Sequence, residues 1–321
     1  MRHLRLIIIL TLIIGVLSAP ILIFFFRSPV LVVTDAPFAL LYGTSHLKQR
    51  QIFASLSLFR QVKPVLIADG VSADVVAVTI TESFRQPCCV LFPRSQSAAA
   101  KRFHEQNPEI PLVLLSGLVQ SSDLPAPDGY LCVYNTDREV DLYRAGLFAG
   151  IIGSKQQNST EQPEEKDTKN EESAEESPKI IQNSYILWQD RFVKPSGRDI
   201  FIRGVMEEDP ESHVIFVNSG SDVPDPQKIS CAVLTAAGTE FLEKNHRMPM
   251  ILFSWLDPSL ASKELIVLFD DSIWAQAVPA VRLALEQQAE ASIPSKALIF
   301  SGKIVDNSVS RELKKAAKKL P

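Results

Sequence analysis

Short apolar runs alternate with polar or amphipathic stretches along most of this 321-residue chain. Before residue 155 they predict strands at 30–33, 65–68, 75–78, 89–92, 112–115 and 130–134, and helices at 45–60, 95–106 and 138–153. After residue 179 they predict strands at 185–188, 214–217, 231–234, 250–253 and 265–269, and helices at 196–208, 237–246, 272–290 and 307–319. Uniformly apolar strands are typical of a parallel sheet covered by helices on both faces. The pattern therefore predicts an α/β fold with two doubly wound parallel-sheet lobes.

The chain begins differently, with an apolar run that carries no charge from Leu6 to Phe26. Twenty-one helical residues rise far enough to cross a hydrocarbon core of roughly 30 Å, so residues 1–28 are predicted to be a signal anchor with one transmembrane helix. Arg2 and Arg5 favour a cytoplasmic N-terminus. A signal peptide cleaved after Ala19 is the alternative, although it would place Pro20 first in the mature chain. The bulk of the chain is then expected on the periplasmic side of the inner membrane.

A strongly acidic stretch separates the two α/β blocks. Residues 156–178 hold eight acidic residues and two lysines, and contribute −6 to a formal total of −4, so the rest of the chain carries +2. That near-neutral remainder argues against a nucleic-acid partner. With few apolar residues the stretch cannot bury enough surface to order itself, so 155–179 is predicted to be a disordered insert.

The predicted domains follow from these breaks. An N-terminal lobe spans 29–154, with 270–290 returning to it, and a C-terminal lobe spans 180–269 and 291–321. The insert would then lie at the first crossing between lobes, where it either loosens a hinge or bulges outward, and we favour the bulge because long surface insertions cost little closure entropy.

Chemical signatures are few. Four cysteines are read as small buried hydrophobes or as disulfide partners, and none has zinc-ligand spacing. The sequence contains no nucleophile elbow, P-loop or dinucleotide-binding turn. We therefore predict no enzyme activity, no catalytic residue, no metal and no cofactor.

Three motifs, taken in order, resemble type I periplasmic solute-binding proteins, and most closely the basic membrane protein family of nucleoside-binding lipoproteins. The helix 137–150 is similar to that family's small-residue helix before the first crossing. Residues 270–278 resemble the return to the first lobe, and 300–309 resemble the terminal strand and helix. The family's Gly-Gly…Asp…Ser-Phe-Asn segment after the first strand is replaced by 34–43, where Asp35 and Phe38 are the equivalents. The resemblance implies a two-lobed binder that delivers a small polar ligand to an ABC permease.

Polar and aromatic residues at the predicted strand ends are the candidate ligand contacts, because ligands bind beyond the carboxyl ends of parallel strands. They are Asp35, Phe38, Ser116, Asp137, Trp188, Arg191, Asn218, Trp255, Asp257 and Asp270. For the two tryptophans the alternative is ordinary packing, and for Asp137 and Asp270 it is helix capping.

The leading hypothesis is a membrane-anchored extracytoplasmic solute-binding protein, held in the membrane through residues 6–26, with a nucleoside as the first ligand to test. A degenerate binding-protein fold that acts as a sensor or scaffold is the second. An extracytoplasmic α/β enzyme is the third, and it rests on fold analogy alone.

Overall fold

The computed structural model describes eleven stretches of the chain. These are residues 22–35, 43–68, 70–84, 86–117, 125–160, 183–189, 193–218, 229–235, 248–253, 265–300 and 306–319; within them, the side chains of 35, 43–46 and 156–160 are not described. The chain forms two compact units. Unit 1 comprises residues 1–136 and 273–293, and unit 2 comprises 137–272 and 294–321, so the chain passes between them three times.

Besides the helical residues 22–26, unit 1 contains six strands and four α-helices among its described residues. In chain order they are β1 (Val30–Asp35), α1 (Gly43–Leu58), β2 (Val62–Ile67), α2 (Ala73–Ser83), β3 (Cys89–Pro93), α3 (Ser97–Gln106), β4 (Leu112–Gly117), β5 (Leu131–Thr136), α6 (Ile273–Leu285) and β11 (Glu290–Ile293). The strands form one parallel sheet in the order β11-β5-β4-β3-β1-β2.

Alternate residues of the unit 1 strands pack into two cores, one on each face of the sheet. Val30 and Val32 face the core that contains α1 and α6, whereas Leu31 and Val33 face the core that contains α2 and α3. Because successive strand side chains point to opposite faces, an uninterrupted apolar strand supplies both cores.

Unit 2 is built in the same way from α4 (Arg138–Thr160), β6 (Ser184–Trp188), α5 (Pro195–Glu208), β7 (His213–Val217), β8 (Cys231–Leu234), β9 (Met250–Phe253), β10 (Leu265–Asp270), β12 (Lys296–Ile299) and α7 (Asn307–Lys319). Its sheet has the order β12-β10-β9-β8-β6-β7. The pairing is parallel except at the edge, where β12 runs antiparallel to β10 with Asp270 opposite Lys296.

Helices α4 and α5 pack with their backbones in direct contact. A Cβ atom added to Gly146 would lie 2.2 Å from the carbonyl oxygen of Phe201, and one added to Gly204 would lie 2.2 Å from that of Tyr143. Only glycine allows so close an approach, which explains the small-residue pattern of α4. The rest of this core comes from one face of the sheet, where Phe253 and Phe269 stack with ring centroids 4.8 Å apart.

The boundary of the first lobe differs from its predicted position at 154, because α4 groups with unit 2 through its packing on α5. Helix α4 also continues to Thr160, so residues 155–160, predicted to be the start of the disordered insert, are helical. Most of the insert, 161–179, lies outside the described residues.

Two secondary-structure predictions were wrong, and two strands were not predicted. Residues 75–78 belong to helix α2, whose first turn is capped by the Ser72 hydroxyl accepting a hydrogen bond from the Val75 amide, and which buries Val76 and Ile80 one turn apart. The last predicted helix of unit 1 stops at Leu285. The short strands β11 and β12 were not predicted, although Ala297, Leu298 and Ile299 of β12 form a short apolar run.

The predicted transmembrane helix lies mostly outside the described residues, which begin at residue 22. Residues 22–26 are helical. Among the described helices, none has both the length and the apolar character needed to span a bilayer. The predicted helix 237–246 also lies outside the described part of the chain.

Candidate functional site

Polar residues directly follow the carboxyl ends of three adjacent strands in unit 2. Trp188 on β6 pairs with Val217 on β7 and with Leu234 on β8. The next residues along these strands are Gln189, Asn218 and Thr235. Because the strands are parallel and in register, the three polar residues lie side by side at one edge of the sheet.

Gln189 is fixed in place by its backbone and by its side-chain oxygen. Its amide donates to the Val217 carbonyl at 2.8 Å, and its Oε1 accepts from Nη2 of Arg198 at 2.6 Å. Arg198 lies in the first turn of α5, with its guanidinium carbon 5.4 Å from the centre of the Phe216 ring. This arrangement turns the amide nitrogen of Gln189 away from its only described side-chain partner.

Three polar atoms at this edge have no hydrogen-bond partner within the described stretches. They are Nε2 of Gln189, Oγ1 of Thr235 and Nε of Arg198. Gln189 is 6% exposed and Thr235 is fully buried. Buried polar groups are nearly always hydrogen-bonded, and leaving one unpaired costs about 1–3 kcal/mol. The three atoms therefore form a set of donors and an acceptor suited to a polar ligand.

A second polar cluster lies in unit 2 where α4 begins. The buried carboxylate of Asp141 accepts from the amide of Ser295 at 2.9 Å and from its hydroxyl, and lies 3.6 Å from Nη1 of Arg144. Arg144 also donates to the Ser295 carbonyl at 2.9 Å and lies 5.5 Å from the centre of the Phe269 ring. Burial raises the pKa of Asp141 to about 6, against the lowering effect of Ser295 and Arg144.

Asp271 adds a second carboxylate to this cluster. Burial raises its pKa to about 7, with the nearby Arg138 acting in the opposite direction and Asp270 and Asp141 raising it further. Arg138 stacks on Phe253, its guanidinium carbon 4.0 Å from the ring centre. Unlike Asp141, Asp271 has an oxygen, Oδ1, with no partner in the part of the chain that the structure describes.

In unit 1 the strand-end polar groups bond to one another. The Ser116 hydroxyl donates to the Tyr134 carbonyl at 3.2 Å and to the Asn135 side chain, joining β4 to β5. Gln276 on α6 donates to Thr136 Oγ1 and to the Ile293 carbonyl, both at 3.2 Å. These contacts hold the ends of neighbouring strands together and leave Ser116 a structural role.

Two predicted aspartates have local structural roles. Asp137 caps α4, its Oδ1 accepting from the Val140 amide at 3.1 Å. Asp270 is buried at the end of β10 and accepts from the Ser272 amide at 3.0 Å, which fixes the turn before α6. Asp137 is therefore a helix cap, and Asp270 accepts a related hydrogen bond within a turn.

The other predicted contacts divide into two groups. Trp188 is buried in the core on the second face of the unit 2 sheet, and exposed Asn218 follows the neighbouring strand, so the structure brings these two residues to the same edge. Phe38, Arg191, Trp255 and Asp257 lie outside the described residues, as does the side chain of Asp35.

Gln189, Arg198 and Thr235 were not among the residues predicted to contact ligand. Gln189 and Thr235 each follow a strand whose bounds were predicted to within a residue, and this position alone was the available signal. Arg198 carries no such signal, because only the packing of α5 brings its side chain to Gln189.

All four cysteines are free, and three of them are buried: Cys89, Cys132 and Cys231. Burial raises the pKa of the Cys231 thiol well above its usual value. They behave as small apolar core residues. Among the described residues, no group of three His, Cys, Asp or Glu side chains has the arrangement of a metal site.

Comparisons with known proteins establish the fold. No protein-family model matches the chain, and no curated protein has a similar sequence. Solved structures do match. An ABC transporter solute-binding protein from Conexibacter woesei is similar with a TM-score of 0.55 and 10% identity, over 91% of this chain and 96% of that one. A transcriptional activator of the comK gene from Bacillus halodurans is similar with a TM-score of 0.51 and 11% identity, over 91% and 97%.

The chain therefore has a type I periplasmic binding protein-like fold, as its sequence predicted. At these identities the likeness concerns the fold, and the narrower resemblance to the basic membrane protein family is not confirmed.

Proposed function

We propose that the chain is a membrane-anchored, extracytoplasmic solute-binding protein that captures a small polar ligand for an ABC permease. The supporting observation is the unit 2 edge, where Gln189, Thr235 and Arg198 present buried polar atoms with no partner among the described residues. A solute-binding protein requires a small number of fixed hydrogen-bonding groups. The name of the Conexibacter woesei structure is consistent with this role.

The chemistry of the edge favours an uncharged ligand rich in hydroxyl or amide groups. The unpaired atoms are an amide donor, a hydroxyl that both donates and accepts, and a guanidinium donor. A nucleoside meets this description, since its sugar supplies hydroxyls and its base supplies acceptors, and it remains the first ligand to test. We place no catalytic step at this edge.

Isothermal titration of the full chain against nucleosides and monosaccharides tests the proposal. Gln189→Leu should weaken binding by at least about tenfold, since a ligand group would lose its partner in a desolvated site. Gln106→Leu, which changes an exposed glutamine of α3, should leave binding unchanged. Absence of binding to every compound at millimolar concentration would contradict ligand capture.

Membrane anchoring has its own test. Sequencing the N-terminus of the protein recovered from washed membranes should give Met1, and the protein should resist alkaline extraction. An N-terminus at residue 20 and release on washing would show that the leader is cleaved.

A sensor that binds no solute is the second candidate. It is favoured by the end of β1, where Thr34 is buried and its Oγ1 accepts from Trp274 Nε1 at 3.2 Å. This contact occupies a polar side chain of the segment 34–43, which stands in place of the Gly-Gly…Asp…Ser-Phe-Asn segment of the family that the sequence resembles. Membranes solubilised with mild detergent should yield an ABC permease with the chain under the first proposal, and a signalling protein under the second.

A further inference from the structure

Helix α1 presents an apolar face to solvent. Ile52, Phe53, Leu56 and Phe59 are 59%, 57%, 69% and 41% exposed. Their spacing places them along one side of the helix, with Phe59 just past its end, while Ala54 faces the core. An exposed apolar stripe of this kind is typical of a surface that contacts a membrane or another protein.

The end of the predicted anchor packs against the same helix. The Phe24 ring lies edge-on to Phe59 with centroids 5.9 Å apart, and the guanidinium carbon of Arg27 lies 5.4 Å from the centre of the Phe59 ring. Arg60 donates to the Ser28 carbonyl at 3.3 Å. Phe25 and Phe26 remain exposed beside this contact. The apolar face of α1 therefore continues directly into the segment predicted to leave the membrane.

The charged side chains around this apolar face are all cationic. Residues 43–63 contain four cationic side chains and no acidic residue, although the whole chain is formally −4. They are Lys48, Arg50, Arg60 and Lys63. Lys48 and Lys63 line a groove together with Phe24, Ile52 and Leu56, so cations border the apolar surface.

We propose that this surface, formed by Ile52, Phe53, Leu56 and Phe59 and bordered by Lys48 and Lys63, lies in the headgroup region of an anionic bilayer. The inference rests on the membrane anchoring proposed above. Phenylalanine and leucine on one face with lysine and arginine beside them are the composition of helices that lie in the membrane interface. Each lysine near an anionic surface is attracted to it, and the attraction weakens with salt.

Two observations favour lipid over a protein partner or a second copy of the chain. Phe24 and Arg27, at the end of the apolar run 6–26, contact Phe59, so in the anchored chain this surface lies close to the bilayer. Its uniformly positive border would also repel the same border of a second copy, whereas it matches acidic lipid headgroups.

The test uses the full chain inserted into vesicles, with an environment-sensitive fluorophore on Leu56→Cys in a Cys88→Ser background. The matched control carries the label on Val75→Cys. Val75 is an equally apolar, 53% exposed residue on α2, which packs on the opposite face of the same sheet. Vesicles contain phosphatidylcholine alone or mixed with phosphatidylglycerol, and a nitroxide-labelled lipid serves as quencher.

In phosphatidylglycerol vesicles the label at 56 should emit at shorter wavelength and be quenched severalfold more than the label at 75. Adding Lys48→Gln and Lys63→Gln, or high salt, should reduce that difference. Equal quenching at the two positions would overturn the proposal and leave a protein as the occupant. Quenching at 56 that is independent of phosphatidylglycerol would overturn the choice of anionic lipid.

Flotation of the vesicles separates this inference from the proposed function. A chain that does not float with vesicles has no anchor, and this result refutes the proposed membrane surface. Ligand binding is tested separately, by titration. A chain that floats but keeps position 56 in water refutes only the surface.

Discussion

The carboxylate of Asp141 accepts hydrogen bonds from both the amide and the hydroxyl of Ser295, a residue 154 positions further along the chain. Ser295 lies just after the third passage of the chain between units, and Asp141 lies in the first turns of the helix that follows the first passage. Arg144 adds a bond to the Ser295 carbonyl. A single buried carboxylate thus joins the entry points of two chain segments into unit 2.

The unfolding free energy should depend on the protonation of Asp141. Because the folded pKa, about 6, exceeds the ordinary 3.8, the folded state binds this proton more tightly than the unfolded state. The stabilisation is therefore complete below about pH 4 and is lost as the pH rises to about 6, with a change of about 3 kcal/mol.

Urea unfolding at a series of pH values measures this dependence, and Asp141→Asn should remove it. Ser295→Ala should move the loss to higher pH, because the hydroxyl that stabilises the ionised carboxylate is gone. A pH dependence that persists unchanged in Asp141→Asn would show that another group causes it.

Asp271→Asn should stabilise the protein at pH 8. With a folded pKa of about 7 and no described partner for Oδ1, the ionised carboxylate is less favourable in the folded state than in water. The protonated carboxyl stabilises the fold fully below about pH 4, and this stabilisation is lost as the pH rises to about 7, so the gain of about 4 kcal/mol at pH 8 should vanish at pH 4. Thermal denaturation of the variant and parent at the two pH values checks both parts.

Thr235→Val should stabilise the free protein and weaken ligand binding. The substitution keeps the shape of a fully buried side chain and removes a hydroxyl that has no described partner, which is worth about 1 kcal/mol. Thr79→Val offers a control, since that exposed hydroxyl donates to the Val75 carbonyl in α2 and should affect neither property. A loss of stability in Thr235→Val would show that its hydroxyl is already paired.

Gly204→Ala should destabilise unit 2 by about 3 kcal/mol or more, because the new methyl would meet backbone atoms of α4 that cannot move aside separately. Gly197→Ala on the same helix is the control. Its methyl meets the end of the flexible Leu142 side chain, at 2.8 Å, and should cost about 1 kcal/mol. Similar losses from the two changes, measured by urea unfolding, would contradict the backbone contact.

Much of the fold was predictable because buried parallel strands are apolar throughout. Strands β8 and β9 have the predicted bounds, and α7 does as well. The same rule failed at 75–78, where a valine run lies in a helix. Local composition cannot distinguish a buried helix turn from a strand when the run is four residues long. The antiparallel strand β12 was also missed, because an apolar run as short as Ala297, Leu298 and Ile299 does not distinguish a strand from a loop.

The candidate site was less predictable than the fold. The rule that polar residues follow strands selected Asn218, which lies at the unit 2 edge, but it also selected Ser116 and Asp137, whose side chains bond to nearby structure. What distinguishes Gln189 and Thr235 is an unpaired buried atom, and pairing depends on contacts between elements far apart in sequence. The positions of strand ends in the sequence identify the edge of the sheet. Which polar groups there lack a hydrogen-bond partner depends on the three-dimensional packing.

The three passages of the chain have a consequence for how the protein is made. Unit 1 obtains its edge strand β11 and its covering helix α6 only from residues 273–293, after nearly all of unit 2 has been synthesised. Unit 2 then needs β12 and α7 from the last residues. Neither sheet can be completed during most of translation, so both expose apolar faces until the end. An emerging chain of this topology should depend on a chaperone that holds it unfolded and should tolerate C-terminal truncation poorly.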